Sequence, residues 1–506
     1  MSGFYFGSPA LISICSDGKW RKAGKEVWLD ENKIFLETDK ASWVKIDWSA
    51  DFSFDSYVMG DAWERTYGDV CFRPIGMPAF HPWYFIVKEP ERVRCIGVKT
   101  GPAALCSFRL TPSSISLLMD VRCGCLDTLF NGRRVCLAEL VSLEKQADVF
   151  DVIHEFCRMM CDKPVLAPAP VYGGDDWYAY YGNNSFEKVL RHGKMLAQCA
   201  EGLENRPYQV VDAGWQPCHN WYYGEEYIGG PFQGCNRNFG SMKDLADALK
   251  EIDVHPGIWI RPLETCAYIP DEMFIRRIKT AKYIDPSHPA SKELLYQDIK
   301  TLCDWGYEMI KHDFAGVDTF GRYAPDMTDS VTEGDWAFYD RSKTSAEITK
   351  EYYELTAEAA GNVFINACNT FSHLSAGIFG GFRIGDDTSG LDYSRTVKMG
   401  VNTMAARSMQ HNAFYSVDPD CVGITQKIPW EKNEQWLKLL SYSGLATMVS
   451  IEESCFTNTV QDAVTEAFNR ASCPHTVARP IDYLDNLTPN RWLTYDGEKD
   501  FVWSVD

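Results

Sequence analysis

The stretch YEMIKHDFAG, Tyr307 to Gly316, climbs through apolar residues and then presents Lys311, His312 and Asp313 in succession. Side chains of an extended strand alternate between faces, so Lys311 and Asp313 point into one space and His312 into the opposite one. A second stretch, GFRIGDD, ends in the same manner, with Arg383, Asp386 and Asp387. Two carboxylates on separate strands, with tryptophans around them, are the equipment for cleaving a glycosidic bond. One ionised Asp attacks the anomeric carbon while a protonated one donates to the leaving oxygen. Lys311 beside Asp313 keeps the attacking group ionised, and Arg383 serves to orient the site or to bind a hydroxyl.

Such side chains need strands to hold them. Short apolar runs recur along the chain, each followed by a segment of helical period: PVYGGDDWY, PYQVVDAGW, HPGIWIRPL, YEMIKHDF, NVFINAC, GFRIGDD, AFYSVD and GLATMVSI. In SKELLYQDIKTLCDWG the apolar Leu295, Ile299 and Leu302 fall on one helical face and Gly306 ends the helix. In TSAEITKEYYELTAEAAG the residues Ile348, Tyr352, Leu355 and Ala359 do the same before Gly361. The spacing predicts an α/β fold, a (β/α)8 TIM barrel, over about 290 residues. A doubly wound sheet is the alternative, but no Gly-rich phosphate loop follows any of the strands. Chemistry in such a barrel sits at the C-terminal strand ends. Those ends carry Trp177, Asp212, Trp259 with Arg261, Lys311 with Asp313, Cys368, Arg383 with Asp386 and Asp387, and Asp418 with Asp420.

The flanking regions read differently. Residues 1–165 hold alternating segments such as SWVKIDWSADFSF and predict an N-terminal β-sandwich, joined by KPVLAPAPVYGG to a catalytic barrel at 166–470. Residues 471–506 predict a short C-terminal β segment. A chain of 506 residues exceeds one ordinary core, which suits this division. The net charge of -20 argues against nucleic acid and anionic membrane as partners. The sequence shows no secretory signal and no run of 18 apolar residues. The 18 cysteines lack paired C-x-x-C spacing, so reduced thiols in a cytoplasmic protein are expected, with no metal site. Homo-oligomer formation is left open.

The motifs K-x-D in IKHDF, RIGDDTS, VVDAGWQP, GIWIRPL, DPDC and ARPID, in that spacing, resemble the melibiase-type glycoside hydrolases of family 36, chiefly α-galactosidases. The resemblance covers roughly residues 165 to 490, with an echo in DAWERTYGD. It implies a retaining, exo-acting α-glycosidase working through a covalent glycosyl-enzyme on an α-linked oligosaccharide or glycoside, with no cofactor. Carried over by motif, Asp313 is the nucleophile, Asp387 rather than Asp386 the acid/base, and Lys311 a binder of sugar hydroxyls. Arg383 sits near the acid/base, Trp177 and Trp259 wall the sugar pocket, Cys368 lies near the 2-hydroxyl, and Trp63 reaches over from the N-terminal domain.

Two departures bear on the sugar. Where the family shows a pair of acids gripping the 4- and 6-hydroxyls, this chain has Asp212 followed by Ala213. Arg261 follows GIWI, where it either contacts substrate or neutralises Glu264 or Asp271. A galactose-configured sugar altered at C6, such as a uronic acid, is therefore an alternative, beside N-acetylgalactosamine and β-L-arabinopyranose. Asp418 and Asp420 flank a proline and read as structural, and Asp175 with Asp176 as a turn. Two other classes stand further off. A metal-dependent barrel enzyme would need His312 and Asp313 on one face, and a non-catalytic sugar-binding protein has no need of paired acids.

Overall fold

The computed structural model describes residues 7–68, 70–217, 229–275 and 282–505. Its first part is built from two antiparallel sheets, of six and seven strands. The alternation in Trp43–Ser49 places Val44, Ile46 and Trp48 in the core while their neighbours are only partly covered, as a strand with one buried face must. A helix at Val149–Met160 packs on the seven-stranded sheet before the proline-rich connection.

The remainder is dominated by a curled, nine-stranded parallel sheet. Its strands are β1 (Tyr172–Asp175), β2 (Tyr208–Val211), β3 (His255–Ile260), β4 (Met309–His312), β5 (Phe364–Ala367), β6 (Gly381–Arg383), β7 (Ser416–Asp418), β8 (Cys421–Ile424) and β9 (Thr447–Ile451). They lie in the order β7-β6-β5-β4-β3-β2-β1-β9-β8. Parallel strands covered on both faces are apolar throughout rather than alternating, and β4, β5 and β9 are buried along their whole length. The eight sequence-predicted strands are all present. The ninth arises because the seventh is split: Pro419 and Asp420, the latter at φ +80°, break the run between β7 and β8. One half pairs with β6 and the other with β9, so a dipeptide joins the two edges of the sheet. Gly173 lets β1 approach β2, since a Cβ there would stand 2.1 Å from the Tyr208 carbonyl oxygen.

Between the strands run α1 (Phe186–Cys199), α2 (Met242–Glu251), α3 (Pro289–Asp304), α4 (Ser345–Ala360), α5 (Trp430–Ser443) and α6 (Asn458–Ala471). In α3 the predicted face, Leu295, Ile299 and Leu302, is buried, and Gly306 at φ +95° follows its end. Helix α4 starts in a capping box, Thr344 with Glu347, and buries Ile348, Tyr352 and Ala359 while Leu355 is half-covered. A three-stranded antiparallel sheet over residues 479–500 ends the chain. Among the described residues no helix is long and apolar enough to cross a membrane. Among the described residues sixteen cysteines are free. Cys266 departs from the all-thiol expectation, being disulfide-bonded.

The N-terminal part is stitched to the parallel sheet at one decisive place. Thr66 pairs in parallel with Gly385, its amide donating to the Ile384 carbonyl at 2.8 Å and its carbonyl accepting from Asp386 N at 2.8 Å. Buried Arg407 secures the join, donating to the carbonyls of Glu64 (2.8 Å) and Ile384 (3.1 Å) and pairing with Asp61 at 3.0 Å. The segment Trp63–Tyr67 is thereby fixed against the end of β6.

Candidate active site

The C-terminal ends of the strands surround a cavity of about 340 Å³. Strand β4 behaves as alternation demands. Lys311 and Asp313 line the cavity, while His312 turns away, its Nε2 2.7 Å from the Tyr352 hydroxyl on α4. Burial lowers the His312 pKa to about 4, so the ring is neutral. Asp313 Oδ2 accepts from Trp259 Nε1 at 3.0 Å, and its Oδ1 from the Phe314 amide at 2.7 Å. Phe314 adopts a left-handed conformation, φ +60°. Holding a bulky residue there costs on the order of 1–3 kcal/mol, and the turn it makes aims its amide back at the carboxylate.

Lys311 Nζ bridges Asp175 Oδ2 (2.8 Å) on β1 and Asp212 Oδ2 (2.6 Å) beyond β2. Burial opposes its charge, but the two carboxylates outweigh burial and raise its pKa. Burial and the nearby Asp175 push the Asp212 carboxyl up in turn. Asp176 is structural: it accepts from Asp212 N (2.7 Å) and Asn184 Nδ2 (3.1 Å), and burial raises it to about 7.

The other pole lies beyond β6. Asp387 Oδ1 accepts from Arg383 Nη2 at 3.0 Å and from Arg65 Nη1 at 3.3 Å. Oδ2 has no hydrogen-bond partner among the described residues, and the side chain is 40% exposed. Burial works to raise this carboxyl, but Arg65, Arg383, Lys311 and Arg395 prevail and hold it down at about 2. Asp386 is clamped between Arg65 (2.8 Å) and Arg395 (2.8 Å). Arg383 also pairs with Asp420 at 2.7 Å, which in turn accepts from Thr388 N and Tyr178 OH.

Of the sequence-predicted residues, Trp177, Asp212, Trp259, Lys311, Asp313 and Asp387 line the cavity. Arg383 and Cys368 stand behind it. Arg383 grips Asp387, and the buried Cys368 Sγ lies 3.5 Å from Arg65 Nη1 and 3.8 Å from Arg383 Nη1. Two do not reach the cavity. Trp63 is 1% exposed, donating to the Thr328 carbonyl and packed edge-on against Trp83, so its indole belongs to the core. Arg261 meets Asp318 through Nε (2.9 Å) and Nη2 (2.7 Å) and Glu264 through Nη1 (2.8 Å). Asp318 is completely buried and requires a cation beside it, which removes Arg261 as a donor fork for substrate.

Among the lining residues that the sequence does not single out as site residues are Arg65, Tyr67, Asp175, Arg395 and Asp420. Asp175 carried a signal, being the last residue of an apolar strand. Arg65 sits in DAWERTYGD, but only the Thr66–Gly385 pairing says where its side chain goes.

No family model matches the chain, and no curated protein matches it. Solved structures do. TtGalA, the α-galactosidase of Thermus thermophilus in complex with p-nitrophenyl α-D-galactopyranoside, is 14% identical at a TM-score of 0.63, covering 98% of this chain and 99% of that one. The GH36 α-galactosidase AgaA of Geobacillus stearothermophilus is 12% identical at a TM-score of 0.60, covering 92% of this chain and 70% of its own. The galactosidase domain of AgaSK, an α-galactosidase-sucrose kinase, is 14% identical at a TM-score of 0.59, covering 91% and 69%. At these identities the likeness is one of fold.

Proposed function

We propose that this chain is a glycoside hydrolase, a retaining, exo-acting α-galactosidase-like enzyme. The observation that carries the reading is the pair Asp313 and Asp387 on one cavity, each with an oxygen fixed by donors while Lys311 ties two further carboxylates beside them. The shared fold with enzymes that act on α-galactosides supports it. In this reading residues 1–165 form a β-sandwich, 166–470 a closed (β/α)8 barrel whose seventh strand is split, and 471–506 a C-terminal β segment.

Asp313, its charge spread onto Trp259 Nε1 and Phe314 N, attacks the anomeric carbon as the glycosidic bond breaks. Asp387 gives its proton through Oδ2 to the leaving oxygen. In the second half it takes a proton from water, whose oxygen displaces Asp313 and restores the starting configuration. Asp175 and Asp212, held by Lys311, accept hydrogen bonds from ring hydroxyls. Asp175 on β1 supplies the second acceptor that Ala213 lacks.

This favours a neutral sugar over a uronate. The wall carries Asp175, Asp212, Asp313, Asp386, Asp387 and Asp420 against Arg65, Lys311 and Arg395, an excess of carboxylates that repels a further one. Rates on aryl α-galactoside, α-galacturonide and β-L-arabinopyranoside, with the product anomer followed by NMR, test the reading. Fastest turnover of the α-galactoside with α-galactose released first is expected. A β-configured first product or absence of turnover would sink it.

A further inference from the structure

Beyond Arg65 lies a second, larger cavity of about 650 Å³. Much of its wall is apolar, formed by Val58, Ile75, Met77, Phe80, Leu110 and Met327. Its buried acid, Asp61, is already paired with Arg407 at 3.0 Å. Met77 is 51% exposed, an apolar side chain offered to whatever enters.

The two cavities adjoin. Arg65 and Tyr67 line both. Tyr323 faces the smaller cavity and the next residue, Ala324, the larger. Glu64 Oε1 braces this shared rim, accepting from Tyr67 OH at 3.1 Å and Ala324 N at 2.9 Å. The leaving oxygen must meet Asp387, and Asp387 is bonded to Arg65. A group attached to that oxygen therefore departs along the Arg65 side, toward the larger cavity. The wall also carries Arg73, His81 and Lys398, but its apolar stretch rewards removal of hydrocarbon from water.

We propose that the larger cavity receives the leaving-group part of the substrate, and that the preferred substrate is an α-galactoside carrying an alkyl or aryl aglycone rather than a further sugar. This rests on the assignment of Asp387 as the residue that meets the leaving oxygen, while binding is read separately from turnover.

The experiment compares methyl, hexyl and octyl α-D-galactopyranosides, below their micelle concentrations, with stachyose. Binding is read by calorimetry and turnover by galactose release, in the wild-type chain and in Met77→Asp and Leu110→Asn. Affinity and kcat/KM should climb with chain length, by up to about fourfold for each methylene the cavity covers, and octyl galactoside should outrun stachyose. Both substitutions should flatten the climb while leaving the methyl galactoside within about twofold. Equal affinity for methyl and octyl glycosides, stachyose preferred over octyl, or a climb that survives both substitutions would overturn the proposal. Chain-length-dependent binding without turnover of any glycoside would support the cavity's assignment and sink the catalytic one.

Discussion

The two candidate catalytic carboxylates line one cavity from the ends of β4 and β6 and are held by opposite means. Asp313 is fixed by neutral donors, an indole and a backbone amide. Asp387 is fixed by two guanidiniums on a single oxygen, with Arg395 nearby. The difference separates two tasks. A nucleophile must be aimed while keeping enough electron density to attack, and neutral donors aim it at low cost to its reactivity. Cations instead hold a carboxyl ionised, which suits the base half of the acid/base cycle and opposes the acid half. The proton on Asp387 must therefore be gained when substrate displaces or shields the guanidiniums, and Arg65, anchored outside the parallel sheet, is the partner whose contact is longer.

The comparison breaks most visibly at Asp313. Asp313→Ala should lower kcat by at least roughly 10⁴-fold, since no group replaces the covalent step. Azide should then restore part of the turnover of an aryl galactoside with inverted product, because the small anion attacks from the vacated face. A variant of near wild-type rate would remove Asp313 from the mechanism. Asp387→Ala should cost about 10²–10⁴-fold on poor leaving groups and far less on activated aryl galactosides. If Asp386→Ala gave that leaving-group dependence instead, the two adjacent carboxyls would exchange roles.

The asymmetry between the poles also separates what was legible in the sequence from what was not. On the Asp313 side the strand's own pattern follows from its alternation: Lys311 and Asp313 inward, His312 against Tyr352. Trp177 and Trp259, named from their place at strand ends and from the family resemblance, also line the cavity. The Asp387 side depends on a long-range pairing, Thr66 with Gly385, that has no periodic trace in the chain. Hence Trp63 was expected at the site where Arg65, two residues on, arrives. Arg261 shows the same split. Its alternative partner Glu264 was visible three residues away, whereas buried Asp318 became its neighbour only through the turn after Asp313. Asp175 and Asp212 are 37 positions apart in the chain and meet only because β1 and β2 are adjacent.

A smaller effect sharpens the neutral-donor side. Trp259→Phe keeps the ring and deletes the indole donor to Asp313 Oδ2. A hydrogen bond to a charged group contributes roughly 1.5–3 kcal/mol, so a loss of about 10- to 100-fold in kcat/KM is expected, with the product anomer unchanged. Unaltered kinetics would mean that the Phe314 amide suffices to aim the nucleophile.

The smallest change in rate, and the most discriminating, is expected at Arg65. Its guanidinium is the first cation pulling the Asp387 carboxyl down, with Arg383 next. With substrate bound Asp387 acts as an acid only while protonated, so its pKa in the complex sets the alkaline limb of kcat for substrates with poor leaving groups. Removing an opposite charge at this range lets a carboxyl rise by about 1–3 pH units. Arg65→Met should therefore move the alkaline limb upward by about one unit or more, while Arg65→Lys, which keeps the charge, should leave it close to wild type. The rate at the optimum should change by less than about tenfold, because Arg383 still holds Oδ1. A purely structural Arg65 would instead lower kcat at every pH without displacing the limb, and the contrast drawn between the two carboxylates would then lose its Arg65 component.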